Sequence, residues 1–211
     1  MRRNSHPESE AVSGNEHLRP AHDAMGTKER IQQVALELFV VHGYEKTSLR
    51  EIADRLGITK AALYYHYASK QELLKSVTQP LIDEFEVLVA TDPDRETLLR
   101  AYVDLLNRHQ AVFQLVANDH ASLAAAELVE RSAKLRRETV RQLAGPDPRP
   151  IDYILAGAAF SAVAQAFSVA RSVEPDATPA LPEGAAYPDG QELTEVLLAI
   201  ALRVLNPAEN L

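Results

Sequence analysis

The sequence predicts an all-α protein of about nine helices: a small N-terminal helix-turn-helix unit followed by a larger helical body. Three observations carry this. Apolar residues recur every three or four positions along most of the 211 residues, and no stretch alternates convincingly as a strand would. Alanine and leucine dominate while glycine numbers only 8, a balance that favours helices. The run from Thr47 to Leu74 reads as two short helices across a glycine turn, with a third opening at Ser69. The expected organisation is a disordered tail over residues 1–24, a three-helix head over 25–72 and a body over 73–211.

Residues 1–24 are polar, carry Pro7 and Pro20 and show no periodicity. Arg2 and Arg3 open them without the apolar segment of a signal peptide. From Thr27, taken as the cap, a first helix runs to His42 with Ile31, Val34, Ala35, Leu38 and Phe39 on one face. Gly43 stops it. Ser48 and Glu51 form a capping-box pattern for the second helix, whose stripe is Ile52, Ala53 and Leu56. Gly57 ends that helix, as glycine does where the chain turns through a left-handed conformation. Thr59 caps the third, anchored by Ala62 and Leu63. Its outward set is expected to be Lys60, Tyr64, Tyr65, His66 and Tyr67, with Lys70 just beyond.

Ser69 opens a longer helix to about Ala90, in which Pro80 is expected to kink or split the helix. Asp94 caps the next helix, running to about Ala117 with Tyr102, Leu105, Leu106, His109, Val112, Phe113 and Val116 inside. A helical stretch in two pieces follows to Ala144, charged along residues 127–142. After the connector GPDPRP, residues 151–173 are apolar nearly all round and rich in alanine, so they need cover on several sides. Residues 174–190 hold four prolines and two glycines and read as a loop. Residues 191–205 form a last amphipathic helix, ended by Pro207.

The run T-S-L-R-E-I-A-x-R-L-G-I-T-K-A-A-L-Y-Y-H-Y-x-S-K-x-E-L-L, preceded by A-L-E-L-F-x-x-x-G-Y at Ala35 to Tyr44, resembles the DNA-binding domain of the TetR family of bacterial transcriptional repressors. The resemblance covers Thr27 to about Leu74 without a gap. Tyr67 stands where the family more often has phenylalanine. The resemblance implies a homodimer on a palindromic operator. It also implies a connecting helix between head and body, and a small molecule that enters among the middle helices and shifts the recognition helices.

Composition sets bounds. There is no cysteine, which removes disulfides and cysteine-based zinc sites and fits a reducing cytoplasm. No apolar run approaches the roughly 18 residues of a membrane span. The net charge of −8 is uneven. Residues 25–75 hold eight basic against six acidic side chains, whereas 76–211 hold eleven against twenty. Phosphate attraction is local, screened over about 8 Å, so a mildly basic head on an acidic body suits DNA.

The candidate DNA-binding residues are Thr47, Ser48, Arg50, Thr59, Lys60, Ala61, Ala62, Tyr64, Tyr65, His66 and Lys70. Lys60 suits guanine O6 and N7. Tyr65 and His66 suit base edges or the sugar-phosphate. Tyr64 and Lys70 suit phosphates, and so do Thr47 and Ser48 at a helix N-terminus. Arg50 is placed to reach the groove edge. Ala61 and Ala62 allow close approach. Candidate effector-pocket residues are Phe85, Tyr102, His109, Phe113, Gln114, Asn118, His120 and Tyr153, polar groups among apolar ones. His109 and His120 lie eleven apart, no metal signature, so neither metal nor cofactor is expected.

The apolar helices 151–173 and 191–205 are the expected dimer surface, since one helix-turn-helix contacts few base pairs. An enzyme is disfavoured: no glycine-rich phosphate loop and no nucleophile arrangement stands out. A helical adaptor would not need the Lys60 to Lys70 surface. The expected function is therefore a ligand-responsive repressor, with an activator or a ligand-independent DNA-binding protein as the alternative.

Overall fold

The computed structural model describes residues 26–118, 124, 127–171 and 188–206. The N-terminal tail, His120 and most of the expected 174–190 loop lie outside these. Nine helices are present among the described residues: α1 (Thr27–His42), α2 (Leu49–Leu56), α3 (Lys60–His66), α4 (Lys70–Ala90), α5 (Arg95–Arg108), α6 (Gln110–Asn118), α7 (Val129–Ala144), α8 (Pro150–Ala170) and α9 (Gly190–Leu205).

Local signals set most helix ends. Ser48 Oγ accepts from Glu51 N at 3.1 Å and the Glu51 carboxylate returns to Ser48 N, so the capping box forms. Gly57 takes φ +67°, where a side chain would be strained. Thr59, Ser69 and Asp94 cap α3, α4 and α5 through their side-chain oxygens. Thr27, expected as a cap, is already helical. Gly26 holds the N-cap position and supplies no side-chain bond.

Two expectations change. The helix foreseen from Asp94 to Ala117 is broken at His109, whose φ of −112° and ψ of 30° leave the helical region. Pro80 does not split its helix: Lys70–Ala90 is continuous. The missing N–H of Pro80 leaves Ser76 O without its helical donor. Gln32 Nε2 from α1 donates there instead, at 3.4 Å. A sequence-local defect thus becomes a tie between α1 and α4.

Two apolar cores flank α4. Ile31, Ala35, Phe39, Ile52, Leu63, Tyr67, Leu73 and Leu74 close the head, and this cluster continues to Leu115 and Leu135. Leu98, Leu99, Tyr102, Leu106, Phe160, Val163, Phe167 and Leu197 close the body, with Leu36 and Phe85 touching both clusters. One flank of α4 is also joined to α7 by polar side chains. Lys75 Nζ meets Glu127 Oε2, just ahead of α7, at 2.6 Å, and Arg131 meets Asp83 and Glu86 at 3.0 Å. Gln142 Nε2 donates to Val89 O at 2.7 Å.

Helix α8 packs on α9 and α7 through Ala156, Ala159, Phe160, Val163 and Phe167. An 18-residue window within its 21 residues has a mean hydropathy of 1.6, so by length and composition alone it is long and apolar enough to cross a membrane, although no unbroken apolar run of that length is present. Packing on α7 and α9 gives its buried side a task within the chain. The other side leaves Ile151, Tyr153 and Ile154 exposed.

Candidate nucleic-acid interface

Helix α3 is held to the head by one residue of its own, Leu63, which is fully buried. Everything around Leu63 faces out. Lys60, Ala61, Ala62, Tyr64 and Tyr65 are exposed and His66 is half-buried. Ala62 is therefore not the second anchor expected of it. Tyr65 is 87% exposed, an unusual placement for a large ring with no task in its own fold. Lys60 Nζ stands 5.4 Å from the Tyr64 ring centroid, and the Tyr65 and His66 rings meet edge to face at 5.3 Å.

Tyr67 departs from the expected outward set. The helix ends at His66, and Tyr67 takes an extended backbone at φ −141°. That turn carries its ring back into the head core, where it is 2% exposed with Lys28 Nζ 5.7 Å from its centroid. Burial pushes its hydroxyl above the usual tyrosine range.

Beside α3 lies the N-terminus of α2. Ser48 and Arg50 are exposed there, and Arg50 sits 3.7 Å from Asp54. His42 Nδ1 lies 2.9 Å from Glu51 Oε1, so the end of α1 steadies the carboxylate of the capping box. Thr47 is not available to a phosphate as expected. It is 1% exposed, and its hydroxyl donates to Leu38 O and Gly43 O. Its backbone N–H goes to Tyr44 O. Lys70 is likewise turned inward. Its ammonium donates to Tyr44 O at 2.9 Å, Glu45 O at 3.2 Å and Thr47 O at 3.1 Å, and lies 4.2 Å from the Tyr44 ring centroid.

Residues 45–50, Lys60, Tyr64 and Lys70 line one open cleft of about 390 Å³. Lys46 is an exposed cation there that sequence reasoning missed. Its position two residues before the capping serine was the available signal. Lys46, Arg50 and Lys60, with the N–H groups at the start of α2, give this cleft the chemistry of an anion cradle.

The candidate effector residues fall into separate groups. Phe85, Tyr102 and Phe160 stack, with centroids 5.2 Å apart for Phe85–Tyr102 and 4.8 Å for Tyr102–Phe160. Burial drives the Tyr102 hydroxyl far above its ordinary range, so it stays protonated. Phe113 meets Phe167 edge to face at 5.6 Å, and Gln114 Nε2 donates to Arg171 O. His109 turns to Glu84 rather than to the aromatic stack. Tyr153 is 43% exposed on the outer side of α8, so it does not join the others. Asn118 ends α6, and its side chain, like His120, lies outside the described residues.

A short helix held out by one anchor, beside a capped helix N-terminus with exposed cations, is the architecture of a helix-turn-helix DNA-binding protein. Residues 31–77 match the family described as bacterial regulatory proteins, tetR family. The transcriptional regulator TtgW of Pseudomonas putida is 32% identical over 95 residues, 43% of this chain and 71% of that protein. The transcriptional activator FasR of Mycolicibacterium smegmatis is 33% identical over 97 residues, 42% of this chain. The chain spans less than half of FasR, 44% of its length. The crystal structure of Mycobacterium smegmatis AmtR superposes with a TM-score of 0.65 at 25% identity, over 89% of each chain. The chain belongs to the tetR family of bacterial regulatory proteins.

Proposed function

We propose that this protein is a cytoplasmic, ligand-responsive transcriptional repressor. In this proposal it binds a palindromic operator as a homodimer and lets go when a small molecule occupies its body. The observation that carries the proposal is the continuous outward face of Lys60, Ala61, Ala62, Tyr64, Tyr65 and His66 beside the α2 N-terminus. Lys60 and Tyr65 read base edges. Ala61 and Ala62 permit close approach to the groove floor. Ser48, Arg50, Lys46 and Tyr64 hold phosphates and set register, with Thr59 and His66 at the two ends of the recognition helix.

Residues 25–72 serve as the head and 73–211 as the sensing and dimerising body. Helices α8 and α9 supply the dimer surface. Ile151, Tyr153 and Ile154 on α8 and Val196 on α9 stay exposed in the single chain, and a second copy would cover them as a four-helix bundle. The effector enters among Phe85, Tyr102, Phe113 and their neighbours. It need only favour the released arrangement by a few kcal/mol.

The test is a gel-shift titration against duplexes that the wild-type chain recovers from a randomised pool. A symmetric recovered sequence with two half-sites supports the proposal. Unchanged binding by a Lys60→Ala, Tyr65→Ala double variant would remove α3 as the reading helix. Activation is the second reading, favoured by the similarity to FasR, a transcriptional activator. Transcription in vitro from a promoter carrying the recovered site separates the two signs.

A further inference from the structure

We propose that Lys70 is a positioning residue for DNA binding, and not one of the phosphate contacts. This rests on the function proposed above. An ammonium has three N–H donors and no acceptor. Lys70 directs them at three backbone carbonyls, those of Tyr44, Glu45 and Thr47, at 2.9 to 3.2 Å. The Tyr44 ring covers it as well, at 4.2 Å. No donor remains for a phosphate unless a carbonyl is given up.

The three carbonyls belong to the turn between α1 and α2. Drawing them toward one point beneath the turn fixes the path of residues 44–47. Thr47 holds the same turn from the other side through Leu38 O and Gly43 O. Together they set where Lys46, Ser48 and the N–H groups at the start of α2 stand along the cleft. Lys70 therefore acts on DNA through its neighbours.

The side-chain chemistry separates the two roles. At a phosphate, arginine serves at least as well as lysine. Beneath the turn it does not, because a planar guanidinium cannot aim three N–H groups at carbonyls that converge on one compact ammonium. Salt dependence separates them again. Deleting a side chain that neutralises one phosphate lowers the slope of log K against log salt by about 0.9, and deleting a positioning residue leaves it in place.

The experiment measures affinity of the full chain for the duplex recovered by the wild type, at several salt concentrations. The proteins are wild type, Lys70→Met, Lys70→Arg and, as a control for a phosphate-binding cation, Lys46→Gln. We expect both Lys70 variants to lose about tenfold or more in affinity with the wild-type slope retained, and Lys46→Gln to lower the slope by about one. A Lys70→Arg protein that binds like wild type, with Lys70→Met showing the reduced slope, overturns the proposal. So does wild-type affinity in both.

Amide hydrogen exchange over residues 44–50 keeps the step testable without DNA. Faster exchange in Lys70→Arg supports it, and unchanged exchange overturns it. A wild type that recovers no duplex would sink the functional proposal alone.

Discussion

His109 Nε2 lies 2.8 Å from Glu84 Oε1, joining the break between α5 and α6 to the middle of α4. The other carboxylate oxygen takes Arg108 Nη2 at 3.0 Å. One acidic side chain on α4 thus holds both residues at the point where the expected long helix is interrupted.

The hydrogen bond from His109, then that from Arg108, holds the Glu84 carboxyl below its ordinary value of 4.5. A carboxyl lowered in the folded state adds stability that is present above the ordinary value. That stability is lost as pH falls through the lowered one. Denaturant titrations of wild type and Glu84→Gln should therefore show a gap just above pH 4.5 that closes as the pH falls below it. The gap will be small, because the Glu84 side chain is 45% exposed and screened by water. A gap that widened in acid would contradict the assigned cause.

Tyr65 and Tyr67 stand two residues apart, one exposed and the other buried. Tyr65→Ala should leave the thermal midpoint within about 1 °C of wild type, since the ring is 87% exposed, while weakening duplex binding by roughly 1–3 kcal/mol. Tyr67→Ala should destabilise the head by about 3–5 kcal/mol through the cavity left in its core. Calorimetry and gel shifts on both variants check the contrast.

Pro80→Ala restores a helical donor in the middle of α4. It should stabilise the fold by roughly 1–3 kcal/mol, less what is lost when the new N–H competes with Gln32 for Ser76 O. The same competition loosens the tie between α1 and α4. A raised midpoint together with faster side-chain amide exchange at Gln32 is the expected pair of results.

Ile154 is 66% exposed on α8. If α8 and α9 form the proposed dimer surface, a carboxylate there leaves the single chain intact and sets like charges against each other between the two copies. On that proposal wild type should sediment as a dimer and Ile154→Glu as a monomer. It should lose cooperative binding to a two-half-site duplex while keeping its helical circular dichroism. Dimeric Ile154→Glu would point the dimer surface elsewhere.

The parts of this fold that could be read directly were those governed by near neighbours along the chain. The Ser48–Glu51 capping box, the Gly57 turn, the Thr59 and Ser69 caps and the outward Lys60, Tyr64 and Tyr65 each depend on contacts within about one helical turn. Spacing alone therefore locates them. The inward parts depended on distant segments. Lys70 finds its carbonyls 23 to 26 residues away, Tyr67 its core on α1 and α4, and His109 its carboxylate 25 residues back. No local rule distinguishes an exposed lysine from one folded under a turn, or a surface tyrosine from a buried one.

The sequence by itself determined that this is an all-α chain with a helix-turn-helix head, because helix periodicity and capping are properties of adjacent residues. Only the tertiary structure decided which polar groups of the head stay outward and which hold the head in shape. That division depends on which donors find carbonyl or carboxylate partners when remote helices meet, and a polar side chain already satisfied inside the fold has nothing left to offer a ligand.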